Sequence, residues 1–135
     1  AAAEPGRGPL AARAGELAEF RRQKQLSYSW LRAVSGNHTD FWTVTKNGLD
    51  WALERTGLDG DMELRERLLA LYWELAAYRE VPVMLATLKA GGAKTAILSN
   101  GSPEMLEGAV KSACIETYLD AVLSVQDVGV FKPDP

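Results

Sequence analysis

Two small polar residues stand at the end of a short apolar run in the stretch KTAILSNGSPEML, residues 94–106. Ser99 and Asn100 follow the run, and Ser102 and Pro103 are residue types that begin a helix. In an open parallel sheet, ligands bind beyond the carboxyl ends of the strands, where the first N–H groups of the next helix are unpaired. A hydroxyl, a carboxamide and these N–H groups would together bind an oxyanion or a carboxylate. The alternative is that these polar residues only shape a turn and cap a helix.

Two cationic residues could take part in the same chemistry. Lys132 follows an apolar run in GVFKPDP and precedes Pro133, so it would also lie near the end of a strand. A lysine there can hold an anion or balance the charge of a catalytic carboxylate. Arg22 lies in RRQKQ on a predicted helix, and a guanidinium can grip a carboxylate at two points. The alternatives are a solvated lysine and an ordinary charged helix face.

The single histidine and the single cysteine offer little further chemistry. His38 has no cysteine, glutamate or second histidine near it at ligand spacing, so neither a metal site nor a catalytic triad is expected there. Cys114 can form no internal disulfide and lies in an apolar stretch, which predicts a small core residue.

The elements that would position these residues fall into two groups. Apolar residues recur at helical spacing in three consecutive segments, which predicts helices at residues 10–34, 40–55 and 61–77. Thr39 or Asp40 would cap the second helix, and Gly57 would end it. From residue 78 the pattern alternates helix, strand, helix and strand, which favours a parallel sheet. The sequence therefore predicts a helical module at residues 1–77 and part of an α/β domain at residues 78–135.

The composition is that of an ordinary globular protein. Of the 135 residues, 47% are apolar and 24% charged, which is enough to build a core. The net charge of −3 provides no basic surface that would favour nucleic acid as a partner. No apolar run is long enough to span a membrane and no signal peptide is recognisable, so a cytoplasmic location is expected. The chain opens on a loop-like stretch and stops directly after an apolar segment, and we expect it to be a piece of a larger protein.

Three long stretches of the sequence carry a specific resemblance. They are RRQKQLSYSWLRAV, TAILSNGSPEML and LDAVLSVQDVGVFKPDP. Together with the spacing between them, they closely resemble the L-2-haloacid dehalogenases of the haloacid dehalogenase superfamily, over nearly the whole chain from Arg22 on. The resemblance implies a Rossmann-like α/β core, of which this chain holds a part. It also implies that residues 1–77 form a helical cap domain, inserted after the first strand of that core.

The resemblance further implies a reaction. An aspartate at the tip of the first strand attacks C2 of an (S)-2-haloalkanoic acid and expels the halide, which leaves an ester intermediate. Water then hydrolyses the ester at the carboxylate carbon of the aspartate and releases the (R)-2-hydroxy acid. No metal or other cofactor is implied. The implied partners are the small 2-haloacid, the halide and a second copy of the chain in a homodimer.

The matching positions imply a role for each candidate residue. Arg22 matches an arginine that is implicated in receiving the halide, and Lys132 matches a lysine that balances the charge of the nucleophile. Ser99 matches a serine that helps to bind the substrate carboxylate, and Asn100 matches an asparagine that helps to hold the halide and the substrate. Three further residues match positions that line the pocket around the alkyl chain and the halogen: Gln23, Leu26 and Phe41.

Two of the implied motifs are absent from the sequence. No strand ends in Asp-x-Tyr-Gly-Thr, the motif that would carry the nucleophile. Asp40 precedes threonines but follows no buried strand and is interpreted as a helix cap, and Asp134 does not stand at a nucleophile position. The fourth motif, with the acidic residue near the attacking water, would lie beyond Pro135. We therefore expect the chain alone to be inactive and its α/β half to be marginally stable, because a central strand of the sheet would be missing.

Two other functions stay open on the sequence alone. A phosphatase of the same superfamily would share the core, although the long RQKQLSYSWLR match argues against it. A non-catalytic binding or dimerisation module would fit if these 135 residues were the natural product.

Overall fold

A computed structural model describes the backbone of residues 8–132 and the side chains of residues 10–132. The outermost residues of the domains predicted at 1–77 and 78–135, and the position of Asp134, lie outside the described residues. Three helices come first, then helices and strands alternate. The helices are α1 (Gly8–Ser35), α2 (Phe41–Thr56), α3 (Met62–Ala70), α4 (Val81–Ala90) and α5 (Pro103–Ser112), and the strands are β1 (Ala96–Ser99) and β2 (Ala121–Ser124). No helix within residues 8–132 has the length and hydropathy needed to cross a membrane.

The two long helices approach each other closely at Gly48. A Cβ atom there would lie 3.3 Å from the backbone N of Gln25 and 3.5 Å from the carbonyl oxygen of Arg21. With no side chain in between, Gln25 Nε2 on α1 donates to Thr45 Oγ1 on α2 at 2.6 Å. The Thr45 hydroxyl in turn donates to the carbonyl of Phe41 at 2.8 Å, so this buried polar group is satisfied. The glycine and the interhelical hydrogen bond set the distance between α1 and α2.

An apolar core fills the space between α1, α2 and α3. Its buried members are Leu17, Leu49, Ala52, Leu53, Leu64 and Leu69. At its edge the rings of Phe20 and Trp51 meet edge to face, with their centroids 5.9 Å apart. The apolar periodicity of α2, α3 and the first half of α1 therefore corresponds to a shared core, whereas Leu31 and Val34 near the end of α1 are exposed.

The third helix ends earlier than predicted. The apolar pattern predicts a helix to residue 77, but α3 ends at Ala70 and a 3-10 turn, Leu71–Trp73, follows it. Leu71 and Leu75 are 54% and 44% exposed, so the apolar residues of this segment are no longer buried by other elements. Because a short helix depends on the packing of its apolar face, the pattern alone does not keep the chain helical.

The predicted parallel sheet is confirmed, with β1 and β2 as neighbours. The paired residues are Ala96 with Ala121, Ile97 with Val122, Leu98 with Leu123 and Ser99 with Ser124. The register is held at the start of the strands by Asp120, whose carboxylate accepts the Thr95 N–H at 2.8 Å and whose own N–H donates to the Thr95 carbonyl at 2.8 Å. The helix α5 forms the crossover between the strands. This is the arrangement of a partial α/β core.

Contacts at Trp73 and at Phe131 help to join the helical half to the α/β half. Trp73 covers α5 so closely that a Cβ atom at Gly108 would lie 2.7 Å from its Cε3. Phe131, after β2, is only 1% exposed, and its ring centroid lies 5.7 Å from that of Phe41 and 4.7 Å from that of His38. The segment after β2 is thus packed against the start of α2.

Cys114 is not a core residue, and that prediction is wrong. The side chain is exposed and its backbone φ is 55°, in the left-handed region. The helix α5 ends two residues earlier at Ser112, and Cys114 takes the left-handed position that often follows a helix. Ile115 is the residue of this stretch that enters the core. The turn, and not hydropathy, decides where Cys114 points.

Gly48→Ala should weaken the packing of α1 on α2. Because the added Cβ would press on the backbone of Gln25, we expect a loss of about 1–3 kcal/mol in the free energy of unfolding. This exceeds the roughly 0.5–1 kcal/mol that alanine gains over glycine in a helix. Gly15→Ala is the matched control, since nothing lies within 4 Å of its Cβ position. Urea unfolding followed by circular dichroism measures both, and equal stability of the two variants would contradict this packing.

Candidate active site

The turn after β1 is held by hydrogen bonds at both of its sides. The Gly101 N–H donates to Ser99 Oγ at 3.0 Å. The Gly101 carbonyl accepts from Ser124 Oγ at 2.7 Å, and this same Oγ accepts the N–H of Gln126 at 3.2 Å. Since Ser99 Oγ acts as an acceptor within the turn, its own proton is left to donate to another group.

The helix α5 begins directly after this turn. Ser102 is its N-cap, with Oγ accepting the Met105 N–H at 3.4 Å, and Pro103 is its first residue. Both features agree with the prediction. The amino end of α5 carries partial positive charge and unpaired N–H groups, so it favours an anion near the turn.

Lys132 is brought to the same end of β1. Its Nζ donates to the carbonyl oxygen of Leu98 at 2.6 Å. Its backbone N–H donates to Asn100 Oδ1 at 2.9 Å, and Asn100 Nδ2 lies 3.5 Å from its carbonyl oxygen. The Asn100 carboxamide therefore pairs with both backbone groups of Lys132. An ammonium group has three N–H donors, so two of those on Lys132 remain for other acceptors.

Three of the predicted site residues lie on α1. Arg22 is exposed, and within residues 10–132 its guanidinium makes no hydrogen bond. Gln23 donates from Nε2 to Glu19 Oε1 at 2.7 Å on the exposed surface. Leu26 is 39% exposed. Among the described residues, no hydrogen bond joins these three side chains to those at the end of β1.

Phe41 lies where α2 meets the segment that carries Lys132. It is half-buried and packs on a small buried cluster formed by Val44, Val125 and Phe131. His38 packs on the same Phe131 ring, and its Nε2 is buried with no hydrogen-bond partner among the described residues. Within residues 10–132, no three side chains of His, Cys, Asp or Glu come together in a way that could hold a metal ion.

Asp40 is a helix cap, as interpreted from the sequence. Its Oδ1 accepts the Thr43 N–H at 2.8 Å, and its Oδ2 accepts from the Thr43 hydroxyl at 2.7 Å. Burial raises the pKa of Asp40, but the hydrogen bonds from Thr43 outweigh it, so the pKa lies below its ordinary value. Both carboxylate oxygens are occupied by the start of α2.

A separate apolar groove of about 340 Å³ lies in the helical half. Leucines and alanines line it, together with the Arg21 guanidinium and the Tyr72 hydroxyl, which are hydrogen-bonded to each other. Burial raises the pKa of Tyr72 in spite of the opposing charge of Arg21. None of the predicted site residues lines this groove.

Ser124 was not among the residues predicted for the site. Its bond to the Gly101 carbonyl makes it part of the structure around Ser99. A signal was present in the sequence, because β1 reads AILS and β2 reads AVLS, so each strand ends in Leu-Ser. Only the register shows that the two terminal serines stand side by side.

Comparison with known proteins identifies the family. Residues 6–135 match the haloacid dehalogenase-like hydrolases. The chain belongs to this family of hydrolases. The resemblance inferred from the three sequence stretches is confirmed, and so is the partial α/β core.

Several named relatives of this haloacid dehalogenase-like chain are dehalogenases. It is 47% identical over 122 residues to (S)-2-haloacid dehalogenase 1 of Pseudomonas sp. strain CBS-3, which covers 90% of this chain and 54% of that protein. It is 40% identical over 126 residues to (S)-2-haloacid dehalogenase 4A of Burkholderia cepacia, covering 93% of this chain and 54% of that protein.

Solved structures of dehalogenases also superpose on this chain. The L-2-haloacid dehalogenase from Xanthobacter autotrophicus, with chloropropionic acid covalently bound, superposes with a TM-score of 0.83 at 40% identity. That match covers 98% of this chain and 51% of the other chain. The crystal structure of another dehalogenase superposes with a TM-score of 0.89 at 41% identity, over 92% of this chain and 55% of the other. The chain thus spans about half the length of the relatives that it matches.

Asp40→Asn should make the cap of α2 insensitive to acid. Because folding lowers the pKa of Asp40, its charge adds stability that is fully present above the unfolded pKa of about 3.9 and is lost as the pH falls through the folded value. We expect the wild type to be more stable than the variant by roughly 0.3–1 kcal/mol at neutral pH, and this difference to vanish in acid. Asp40→Ala loses the cap at every pH, at a cost of about 1 kcal/mol. Urea unfolding over a pH series measures all three proteins, and a constant difference between wild type and D40N would contradict the prediction.

Proposed function

We propose that this chain is part of an (S)-2-haloacid dehalogenase, which hydrolyses short 2-haloalkanoic acids to (R)-2-hydroxy acids. The observation that carries the proposal is the gathering of Ser99, Asn100 and Lys132 at the carboxyl end of β1. The end of a parallel strand is where such folds bind ligands. The names of the relatives support this reaction over the other activities of the superfamily.

In this proposal Ser99 binds the carboxylate of the substrate, and Lys132 balances the charge of the attacking carboxylate. Ser99 Oγ has its proton free, and Ser102, the N-cap of α5, lies three residues further on, so both favour the carboxylate of a haloacid. Lys132 presents a positive charge beside the Leu98 carbonyl with two N–H donors unused. That charge would stabilise an attacking carboxylate at the neighbouring strand tip and limit the rise of its pKa by desolvation.

Asn100 would present one amide N–H to the halide. Its Oδ1 is fixed by the Lys132 N–H, so the amide cannot rotate without losing that bond. One N–H of Nδ2 faces the Lys132 carbonyl at 3.5 Å, and the second is left over. An N–H donor and a nearby ammonium are suited to a departing halide, whose negative charge grows as the C–halogen bond breaks.

The residues on α1 and α2 would complete the pocket from the helical side. Arg22 has an exposed guanidinium with no partner in residues 10–132, which leaves it available to the halide. Leu26 follows one helical turn later on the same side of α1, and Phe41 lies beside the segment that carries Lys132. Gln23 is assigned by the resemblance alone, since its amide is bonded to Glu19.

The domain division belongs to the same proposal. We take residues 1–77 as the helical cap and residues 78–135 as part of the Rossmann-like core, with the boundary in the irregular segment before α4. The contacts of Trp73 with Gly108 of α5 and of Phe41 with Phe131 would hold the cap against the α/β half. The homodimer and the cytoplasmic location stay predictions.

The attacking aspartate would come from the longer protein. The sequence contains no Asp-x-Tyr-Gly-Thr motif, and Asp40 is occupied as a helix cap. In the proposed reaction the incoming carboxylate forms a C–O bond at C2, and the electron pair of the C–halogen bond leaves with the halide. Water then cleaves the ester at the aspartyl carbon.

The 135-residue chain alone should release no halide from (S)-2-chloropropionate above a no-protein control, because it lacks the attacking group. The longer protein, extended upstream through the nucleophile strand, should release chloride in the same assay. Halide release by the chain alone would contradict the proposal. Mg²⁺-dependent hydrolysis of a phosphomonoester by the longer protein, without halide release, would show instead that the protein is a phosphatase of the same superfamily.

Lys132→Met should slow the longer protein strongly. We expect kcat to fall by about 10²–10³, because the charge beside the nucleophile is lost while the backbone bonds to Asn100 remain. Lys94→Met is the matched control, since this exposed lysine pairs with Asp120 at the opposite end of β1. Halide release under saturating substrate measures both, and comparable turnover of K132M and wild type would remove Lys132 from the proposed mechanism.

A further inference from the structure

Ser124 ends β2 directly beside Ser99, and its hydroxyl is used entirely inside the protein. The residue is 8% exposed. Its Oγ donates to the Gly101 carbonyl at 2.7 Å and accepts the Gln126 N–H at 3.2 Å. A buried hydroxyl with both functions satisfied does not contact substrate, but it joins the end of one strand to the turn that follows the other.

Gly101 carries this connection to Ser99. Its carbonyl is held by Ser124, and its N–H donates to Ser99 Oγ at 3.0 Å. The residue is buried and lies against Leu106, so a shift of the turn is resisted on that side. Without the Ser124 hydroxyl, the carbonyl of the buried Gly101 would have no hydrogen-bond donor among the described residues, and the turn would have to move to satisfy it.

We infer that Ser124 is a positioning residue that acts through Gly101 on the hydroxyl of Ser99. By keeping the Gly101 N–H on Ser99 Oγ, it leaves the Ser99 proton as the free donor for a ligand carboxylate. This inference rests on the proposed function for its substrate, a 2-haloacid, but the link among the three residues does not depend on the reaction.

The kinetic test uses Ser124→Ala in the longer protein. We expect KM for (S)-2-chloropropionate to rise about tenfold and kcat to change by less than about threefold, because the carboxylate contact is made in the ground state and the transition state alike. Thr87→Ala removes an exposed hydroxyl that bonds within α4 and should leave both constants unchanged. Ser124→Cys, which keeps a weaker donor on a slightly larger side chain, should fall between wild type and S124A and serves if S124A does not fold.

A double-mutant cycle separates this role from a structural one. If Ser124 acts through Ser99, then S124A should have no further effect on KM in a protein that already carries Ser99→Ala. A merely structural role would give additive losses, and additive losses would overturn the inference. An unchanged KM in S124A and S124C would overturn it as well.

Hydrogen exchange of the Gly101 amide tests the same link without any substrate. Exchange should be at least about tenfold faster in S124A than in wild type, while the Val110 amide within α5 should be unchanged. An unaltered Gly101 rate would overturn the inference. If the wild-type longer protein released no halide but the Gly101 rate rose in S124A, the proposed function would fail and the positioning link would stand.

Discussion

The parallel pairing of β1 with β2 is the interaction on which the candidate site depends. Its register sets Ser99 beside Ser124 at the carboxyl end and is held at the other end by the reciprocal bonds of Asp120 with Thr95. A slip of one residue would turn every side chain of a strand to the opposite face. It would also separate Ser124 from the Gly101 carbonyl. The positions of Ser99 and Ser124 at the carboxyl ends of the strands therefore follow from the pairing of the backbones.

The short segment after β2 connects the end of the sheet to the helical half. Phe131 is buried against the start of α2, and the next residue, Lys132, is bonded to Asn100 and to the carbonyl of Leu98. This one segment thus places a cation at the carboxyl end of β1 and an aromatic ring between the two halves. Trp73 makes a second contact between the two halves, on Gly108 of α5. A chain in which both contacts form has little freedom to tilt the helices away from the sheet.

Some elements could be predicted from residue patterns, and others could not. The cap at Asp40, the start of α5 at Ser102 and the two strands follow from local rules that act over three or four residues. The end of α3 depends on whether Leu71 and Leu75 find cover, which is a property of the packed molecule. Cys114 lies in an apolar stretch, yet the left-handed turn after α5 directs it to solvent. In the first case the lack of a packing partner outweighed the apolar pattern, and in the second a turn did.

The sequence by itself determined the family and the order of the elements, because long motifs and local capping and strand patterns carry that information, and it made Ser99, Asn100 and Lys132 candidates for the site. Only the tertiary structure decided that the Asn100 carboxamide pairs with the backbone of Lys132 and that Ser124 holds the turn beside Ser99. Those contacts join residues 23–32 positions apart in the chain. The register of the strands and the burial of Phe131 bring these residues together in space. No local pattern of residue types encodes either feature.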